Sequence, residues 1–441
     1  SSKLKHMNRK IVSSLAVLAA LTPLLQAAES HGFALKEGDR VVFYGDSITD
    51  QRLYTTFTET YAVTRFPKMN VTFVHSGWGG DRVSGGGGGG IDERLKRDVF
   101  AYHPSVMSIM LGMNDASYRA FDDKIFATYT NGFQHIIDSL HKELPNLRLT
   151  LIQPSPFDDV TRAPTFEGGY NAVLVRYGEY LKELAQREHA SLADLNTGVT
   201  DAVKKASEKN HDLAVKLNPD RVHPSAAGQL LMAGELLKAW HAPSFVSLVE
   251  IDSRSGKATR TDRANVRNLS KKSIDSTEAT SSDKQSPGYA TLTWTQEDEA
   301  LPMPVDLKDP ATALALESSD FAETLNQQLL KVSGLDRAEY TLKIDGESVG
   351  TFPREKLEVG VNLALLNTPM SKQAQQVHKL TLQHNDLHFT RWRQVQVKTK
   401  PEVPHLKDAL HALDELEADI VKEQRSAARP KPHKFDLVPA S

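Results

Sequence analysis

Five short apolar runs alternate with helical patterns between Arg40 and Trp240, and no other feature constrains the fold of this 441-residue chain as strongly. Each run has about the length of a buried strand, and the runs lie at 41–44, 71–75, 106–111, 147–152 and 190–195. Alternating strands and helices imply a parallel sheet that is covered by helices on both faces. The sequence therefore predicts an α/β fold, a three-layer α/β/α sandwich, for residues 33–243.

The first run leads into Gly45-Asp46-Ser47, and neither Gly nor Pro follows until Pro67. This pattern predicts a buried strand that passes through a tight turn into a helix, with Ser47 at the junction. Ligands bind outside the carboxyl ends of the strands in such sheets, where free backbone N–H groups favour negative charge. Ser47 is therefore a candidate nucleophile, although serine is also a common residue at the start of a helix.

Three further segments place a chemically useful residue after a predicted strand or before a helix. Residues 75–82 form a glycine-rich turn that can offer a backbone N–H, and residues 111–115 end a strand and present the Asn114 amide. Residues 220–224 precede the last predicted helix of the domain. The simpler interpretations are a plain tight turn for the first segment and an Asx turn for the second.

Asp220 and His223 are three residues apart in the last of these segments. This spacing allows the carboxylate to hold the imidazole Nδ1–H and to leave Nε2 free. A serine hydroxyl is a weak nucleophile that needs such a base. The pair therefore completes the division of labour of a serine triad, which is recognised by roles and not by order in the chain.

The four segments together resemble the four blocks of the SGNH hydrolases, also called GDSL-type esterases and lipases, over about residues 38–241. The matching motifs are Gly45-Asp46-Ser47, the Gly80 turn, Gly112-Met113-Asn114-Asp115 and Asp220-Arg221-Val222-His223. The resemblance implies a flavodoxin-like fold with Ser47 as nucleophile, His223 as general base and acid, and Asp220 as its orienting partner. It also implies that the reaction needs no metal and no cofactor.

The same resemblance implies an oxyanion hole formed by the backbone N–H groups of Ser47 and Gly80 and by the side chain of Asn114. The second block departs from the common pattern, because it begins with His75 where Asn is frequent and has several glycines. Gly79 is therefore the alternative donor. No Gly-x-Ser-x-Gly motif surrounds the serine, which argues against the α/β-hydrolase fold.

Other candidate sites carry weaker signals. Residues 85–90 contain G-x-G-x-x-G but do not directly follow a strand, so we expect a loop near the mouth of the site and not a dinucleotide site. Trp78, beside the oxyanion turn, is a candidate platform for a sugar or an anchor for the loop. His384 and His388 have a metal-like spacing without a third ligand, so we predict no metal. We expect these histidines, with Trp78 and Gly79, to bind substrate; a polar loop before a strand is the alternative.

The chain is predicted to begin with a vector remnant at 1–6 and a signal peptide at 7–28. Basic residues at 9 and 10 precede an apolar stretch at 11–25 and a small-residue cleavage site, which is typical of secretory signals. We therefore expect an exported bacterial protein, periplasmic or extracellular. The stretch is too short for a stable membrane span.

The second half is predicted to be a C-terminal α+β, β-rich accessory region. We assign a polar insertion or linker to 244–288, the accessory α+β region to 289–400, an amphipathic helix to 401–425 and an irregular tail to 426–441. Residues 388–397 alternate and are predicted as a strand. We expect this half to dock on the catalytic domain and to shape one wall of its cleft.

Composition excludes several functions. The formal net charge is −3 without a long basic run, so nucleic acid is not an expected partner. The chain has no Cys, which excludes a thiol nucleophile and a thiolate metal site. The oligomeric state is not indicated.

Together these features predict a secreted serine esterase that hydrolyses small acyl esters, chiefly acetyl esters, through an acyl-Ser47 intermediate. The expected partner is a small-molecule or carbohydrate ester substrate, and O-acetyl groups on carbohydrate are candidate substrates. The alternatives are a lipase-like acylhydrolase or thioesterase and, from another class, a non-catalytic carbohydrate-binding protein on a hydrolase fold.

Overall fold

The computed structural model describes residues 32–274 and 289–440. The predicted vector remnant and signal peptide, and part of the predicted linker, lie outside these residues. Among the helices in the described ranges, none is long and apolar enough to cross a membrane.

The first half of the described chain is built around a five-stranded parallel sheet. Its strands and the glycine hairpin are β1 Arg40–Gly45, β2 Thr72–Gly77, β3 Gly85–Gly86, β4 Gly89–Gly90, β5 Val106–Met110, β6 Arg148–Ile152 and β7 Ser191–Ala193. The helices are α1 Ser47–Asp50, α2 Leu53–Arg65, α3 Ile91–Asp98, α4 Asp123–Glu143, α5 Tyr170–Arg187, α6 Leu195–Lys209, α7 His211–Val215 and α8 Ala226–Ala239, with a 3-10 turn at Phe100–Tyr102.

The order of strands in this sheet is β2-β1-β5-β6-β7, and all neighbours are parallel. The apolar side chains of β1 at 41–44 are fully buried, because helices cover both faces of the sheet. An all-parallel sheet needs such cover, and its strands therefore read as continuous apolar runs. The predicted α/β/α sandwich is confirmed.

The second half adds two further sheets and more helices. Its strands are β8 Phe245–Asp252, β9 Lys257–Asp262, β10 Ala264–Ile274, β11 Tyr289–Asp298, β12 Gln327–Ser333, β13 Glu339–Ile344, β14 Glu347–Pro353, β15 Val361–Asn362 and β16 His433–Pro439. Its helices are α9 Pro310–Glu317, α10 Phe321–Leu325, α11 Arg354–Val359, α12 Pro369–Phe389 and α13 Leu406–Ala427, with a 3-10 turn at Leu363–Leu365 and a π-helix at Thr390–Gln396.

One of these sheets is antiparallel, with the order β10-β11-β16-β13-β14, and the other is mixed, with the order β15-β12-β8-β9. The predicted β-rich C-terminal region is confirmed. From Phe33 onward the described chain forms a single compact unit.

Two segments that we expected to be irregular form strands. The segment at 244–288 was expected to be a polar linker, but β8 is largely buried and its polar neighbour β9 pairs with it. The tail at 426–441 contains β16, which lies between β11 and β13 and buries Phe435 and Leu437. β8 and β16 pair with strands that are distant in sequence, β12 for the first and β11 and β13 for the second, and a local pattern does not indicate such pairing.

The strand predicted at 388–397 is also wrong. Helix α12 continues to Phe389 and passes directly into the π-helix. Trp392 is the buried residue of that segment, so the alternating pattern does not correspond to an apolar sheet face. Tertiary packing of this tryptophan overrides the strand-like pattern.

Helix α13 matches the predicted amphipathic helix in position but docks differently. Of its apolar stripe only Leu406 is buried, and Leu416 is 48% exposed. The helix contacts its neighbours through polar groups instead: Glu417 Oε1 lies 2.8 Å from His384 Nε2, and Gln424 Nε2 donates to Glu59 Oε1 at 3.0 Å. A polar network therefore joins α13 to α12 and α2.

Candidate active site

Ser47 is the first residue of α1, and only Asp46 separates it from the end of strand β1. The Asp46 carboxylate caps this short helix by accepting the Ile48 N–H at 3.0 Å, and burial raises the pKa of Asp46 to about 7. A Cβ on Gly45 would lie 2.2 Å from Thr49 Oγ1, so only glycine allows the helix to start this close to the strand. The strand, the glycine and the cap together present Ser47 at the carboxyl edge of the sheet.

A continuous hydrogen-bonded chain connects Ser47, His223 and Asp220. His223 Nε2 lies 2.8 Å from Ser47 Oγ, and His223 Nδ1 lies 2.7 Å from Asp220 Oδ2. Asp220 Oδ1 also accepts the backbone N–H groups of His223 and Val222, at 2.7 and 2.9 Å. Burial acts to raise the pKa of Asp220, but these hydrogen bonds outweigh it and lower that pKa. Asp220 is therefore an ionised carboxylate that holds the ring.

This geometry has a direct chemical consequence for the serine. With Nδ1–H donated to the carboxylate, Nε2 of His223 is the ring nitrogen that can accept the Ser47 proton. Arg221, between the two partners, has a φ of +73°, which side chains adopt at a cost of about 1–3 kcal/mol. Its guanidinium donates to Ala163 O at 2.9 Å and so helps to fix the turn.

Asn114 presents its amide beside the same edge of the sheet. Its Nδ2 donates to Asp81 O at 3.0 Å, and its Oδ1 accepts the Tyr118 hydroxyl at 3.0 Å. The two contacts set the orientation of the amide, because each end has a defined partner. The second N–H of Nδ2 has no acceptor within the described parts of the chain.

Gly79 and Gly80 differ in the use of their backbone N–H groups. The Gly79 N–H donates to Asp50 Oδ2 at 3.1 Å. The Gly80 N–H has no acceptor among the residues that the structure describes, and its φ of +81° favours glycine. Of the two alternatives, Gly80 therefore has the available donor.

Tyr118 is a residue of this site that the sequence did not indicate. Its ring is 43% exposed and stacks on Tyr170 at 5.0 Å between centroids. Tyr118 and the preceding Ser117 both have positive φ, +54° and +61°. Backbone strain of this kind clusters at functional sites, but nothing in the local sequence reports it. Burial raises the pKa of Tyr118 to about 12, so its hydroxyl keeps the proton that it donates to Asn114.

Trp78 has other protein groups close to its ring. The Arg393 guanidinium carbon is 3.2 Å from the ring centroid. On the glycine loop, a Cβ at Gly88 would come within 2.6 Å of the ring. These contacts favour the loop-anchor interpretation over a sugar platform, which needs an open face. The glycine run itself forms the β3–β4 hairpin.

His384 and His388 do not line an open cleft, contrary to our expectation. Both lie on α12 and are nearly fully buried. His384 lies between Glu59, at 3.1 Å, and Glu417, at 2.8 Å. His388 Nδ1 is 3.4 Å from Glu417. Within the described ranges no group of three or more His, Asp or Glu residues is arranged to hold a metal ion.

Comparisons with known proteins find relatives of this chain. The sequence model of the GDSL-like lipase/acylhydrolase family matches residues 43–231. An acetylxylan esterase from Geobacillus stearothermophilus is 25% identical over 223 residues, which cover 46% of this chain and 93% of that protein.

A solved structure resembles nearly the whole chain. It belongs to a gut microbial diltiazem-metabolizing enzyme, with a TM-score of 0.77 and 25% identity over 92% of this chain and 98% of that one. The likeness therefore extends through the second half, beyond the family match. Residues 43–231 of this chain match the GDSL-like lipase/acylhydrolase family, and the protein is a carboxylic ester hydrolase.

Proposed function

We propose that this protein is a serine esterase that removes small acyl groups, chiefly acetyl, from carboxylic esters. The observation that carries the proposal is the unbroken hydrogen-bonded chain from Asp220 through His223 to Ser47. In this proposal Ser47 is the nucleophile, His223 the general base and acid, and Asp220 the residue that holds the imidazole and stabilises its protonated form.

Acylation begins when Ser47 Oγ attacks the ester carbonyl carbon while its proton passes to His223 Nε2. The carbonyl oxygen becomes an oxyanion in the tetrahedral intermediate. The bond to the alcohol oxygen then breaks, and His223 returns the proton to that oxygen. The products of this half-reaction are the free alcohol and an acyl ester of Ser47.

Deacylation repeats the sequence with water. His223 accepts a proton from the water, whose oxygen attacks the acyl carbon. The bond to Ser47 Oγ breaks and Oγ regains the proton from His223. The carboxylic acid leaves and the enzyme returns to its starting state.

The oxyanion is held by the N–H groups of Ser47 and Gly80 and by Nδ2 of Asn114. Each of these donors has capacity for a ligand. The first N–H groups of a helix have no intrahelical acceptor, which applies to Ser47, and the donors of Gly80 and Asn114 are unused as described above. Preorganised donors of this kind stabilise the charge that develops in the transition state.

The likeness to an acetylxylan esterase supports short acyl groups and a carbohydrate alcohol. The predicted signal peptide supports an exported enzyme, which would meet acetylated polymers outside the cytoplasm. We therefore propose O-acetyl groups on carbohydrate as the natural substrate.

A chain-length series of p-nitrophenyl esters, with acetate release from acetylated xylan, tests this proposal. Rates should fall from acetate to octanoate, and acetate should be released from the polymer. Ser47→Ala should lose both activities. Ser139→Ala should keep them, because Ser139 lies on α4, outside the hydrogen-bonded chain of Asp220, His223 and Ser47. Rates that rise with chain length would favour a lipase-like acylhydrolase, and hydrolysis of aryl acetate without release from any acetylated polysaccharide would remove the carbohydrate assignment.

A further inference from the structure

The π-helix at Thr390–Gln396 brings part of the second half to the edge of the active site. Trp392, 1% exposed, donates its Nε1–H to Asp98 Oδ1 at 2.7 Å and packs edge-on against Trp78, 5.7 Å between centroids. These contacts fix the segment to the end of α3 and to the turn that follows β2. Departures from α-helical geometry of this kind are frequent at functional sites.

Arg393, the next residue, contacts the turn that carries the proposed oxyanion donor. Its guanidinium lies over the Trp78 ring and reaches both oxygens of Asp50, with Nη2 at 3.2 Å from Oδ2 and Nη1 at 3.5 Å from Oδ1. Nη1 also donates to Gly77 O at 3.3 Å. The planar, forked guanidinium suits this combination of stacking and paired contacts, which an ammonium group cannot reproduce.

Asp50 connects Arg393 to the turn at residues 78–80. It lies in α1, three residues after Ser47, and its Oδ2 accepts the Gly79 N–H at 3.1 Å. An ideal Cβ on Gly79 would lie 3.6 Å from Asp50 Oδ2 and 3.9 Å from Ser47 Cβ. The carboxylate and the nucleophile therefore flank the same residue, directly before Gly80.

We propose that Arg393 is a positioning residue for ester hydrolysis, which acts through Asp50 on the turn at residues 78–80. It holds the turn where the Gly80 N–H faces the oxyanion. Together with Arg52, whose Nη1 lies 3.9 Å from Asp50 Oδ1, it also neutralises a carboxylate that would otherwise oppose the developing negative charge. This inference rests on the proposed roles of Ser47 and Gly80. It also gives the second half a part in the rate of bond breaking, and not only in the choice of substrate.

The test replaces Arg393 and measures turnover per active site, with sites counted by fluorophosphonate labelling. Small displacements from the reactive geometry cost up to about 100-fold in rate, so we expect kcat of Arg393→Met to fall roughly 10- to 100-fold. KM should change less than about threefold, because oxyanion contacts strengthen only in the transition state. Arg393→Lys should be intermediate, since it keeps the charge without the fork.

Arg391→Met is the matched control. Arg391 belongs to the same π-helix and forms an ion pair with Asp414, at 2.6 Å, that does not involve the oxyanion turn. Its loss should leave kcat per labelled site unchanged. Combining Arg393→Met with Asp50→Asn should cost no more than the worse single change, because both remove one shared interaction.

Wild-type kcat in Arg393→Met, an equal loss in Arg391→Met, or additive losses in the double variant would each overturn the positioning role. If Arg393→Met does not fold, Arg393→Lys decides in the same way: a wild-type kcat overturns the proposal and a reduced kcat at unchanged KM supports it. Failure of the proposed function is separate, because it would appear in the wild-type protein as absent labelling at Ser47.

Discussion

His384→Gln should destabilise the protein strongly, although His384 is not a catalytic residue. The imidazole is buried between two carboxylates, Glu59 on α2 and Glu417 on α13. Glu59 is itself 1% exposed and is held by His75 Nε2 at 3.0 Å and by Gln424 Nε2 at 3.0 Å. The glutamine variant keeps an amide for hydrogen bonding but removes the positive charge between the two carboxylates.

Two estimates give the loss in free energy of unfolding that His384→Gln should cause. Removing one partner of a buried ion pair costs about 3–5 kcal/mol. Burial alone would lower the pKa of His384, but Glu59 and Glu417 raise it from 6.5 to about 10, and a shift of that size corresponds to roughly 5 kcal/mol. A unit of this length has an unfolding entropy of about 0.9 kcal/mol/K, so the melting temperature should fall by roughly 4–6 °C.

The destabilisation by His384→Gln should depend on pH in a defined direction. A histidine with a raised pKa stabilises the fold fully below its unfolded value of 6.5, and this contribution is lost as pH rises through about 10. Burial would raise the pKa of Glu59 and Glu417, but their histidine partners lower both, so their contribution is complete above 4.5 and lost in acid. The difference between wild type and variant should therefore be largest between pH 4.5 and 6.5. About one fifth of the His384 contribution should remain near pH 9.5.

Thermal unfolding at about pH 5.5 and pH 9.5, followed by circular dichroism, measures both predictions. His378→Gln is the matched control, because His378 lies on the same helix and contacts Thr60 of α2 at 3.0 Å. Burial lowers the pKa of His378 to about 4, so the control removes a neutral hydrogen-bonding group, worth about 0.5–1.5 kcal/mol. Equal losses in the two variants, or a loss in His384→Gln that does not shrink at high pH, would refute the charged-cluster account.

Asn114→Ala should lower kcat roughly 10²–10³-fold with little change in KM, as steady-state kinetics on p-nitrophenyl acetate would show; an unchanged kcat removes Asn114 from the oxyanion hole. Tyr118→Phe should also lower kcat, but less, because it frees the amide of Asn114 without deleting it; a loss larger than that of Asn114→Ala would contradict this role. Asp46→Asn should raise the melting temperature at pH 8 and not at pH 4, because burial raises the pKa of Asp46 from 3.8 to about 7 and the folded state therefore disfavours the ionised form as pH rises; a gain at both pH values would show another cause.

The α/β core and the motif blocks of the site could be predicted because their signals are local. The strand before Ser47 is a continuous apolar run that ends in a glycine, and the structure places it inside the sheet, between β2 and β5. Asp220 and His223 carry their relation in their spacing, which the turn converts into a hydrogen bond of 2.7 Å.

The positions of His384 and Arg393 could not be predicted in the same way. The partner of His384 on α2 is 325 positions away, and Arg393 contacts Asp50 at a separation of 343. The alternating pattern of 388–397 resembles a strand, but the segment is helical and buries Trp392. The backbone at Tyr118 follows two positive φ angles, those of Ser117 and of Tyr118 itself, and the pattern of side chains along the sequence does not indicate them.

The central claim is that Ser47 is the nucleophile activated by His223, and covalent labelling tests it most directly. Wild-type protein is treated with a fluorophosphonate, and the site is located by mass spectrometry of the digested protein. We predict one adduct, on the peptide that contains Ser47, no adduct in Ser47→Ala, and much slower labelling in His223→Ala. An adduct on another residue, or an esterase activity that survives in Ser47→Ala, would contradict the account.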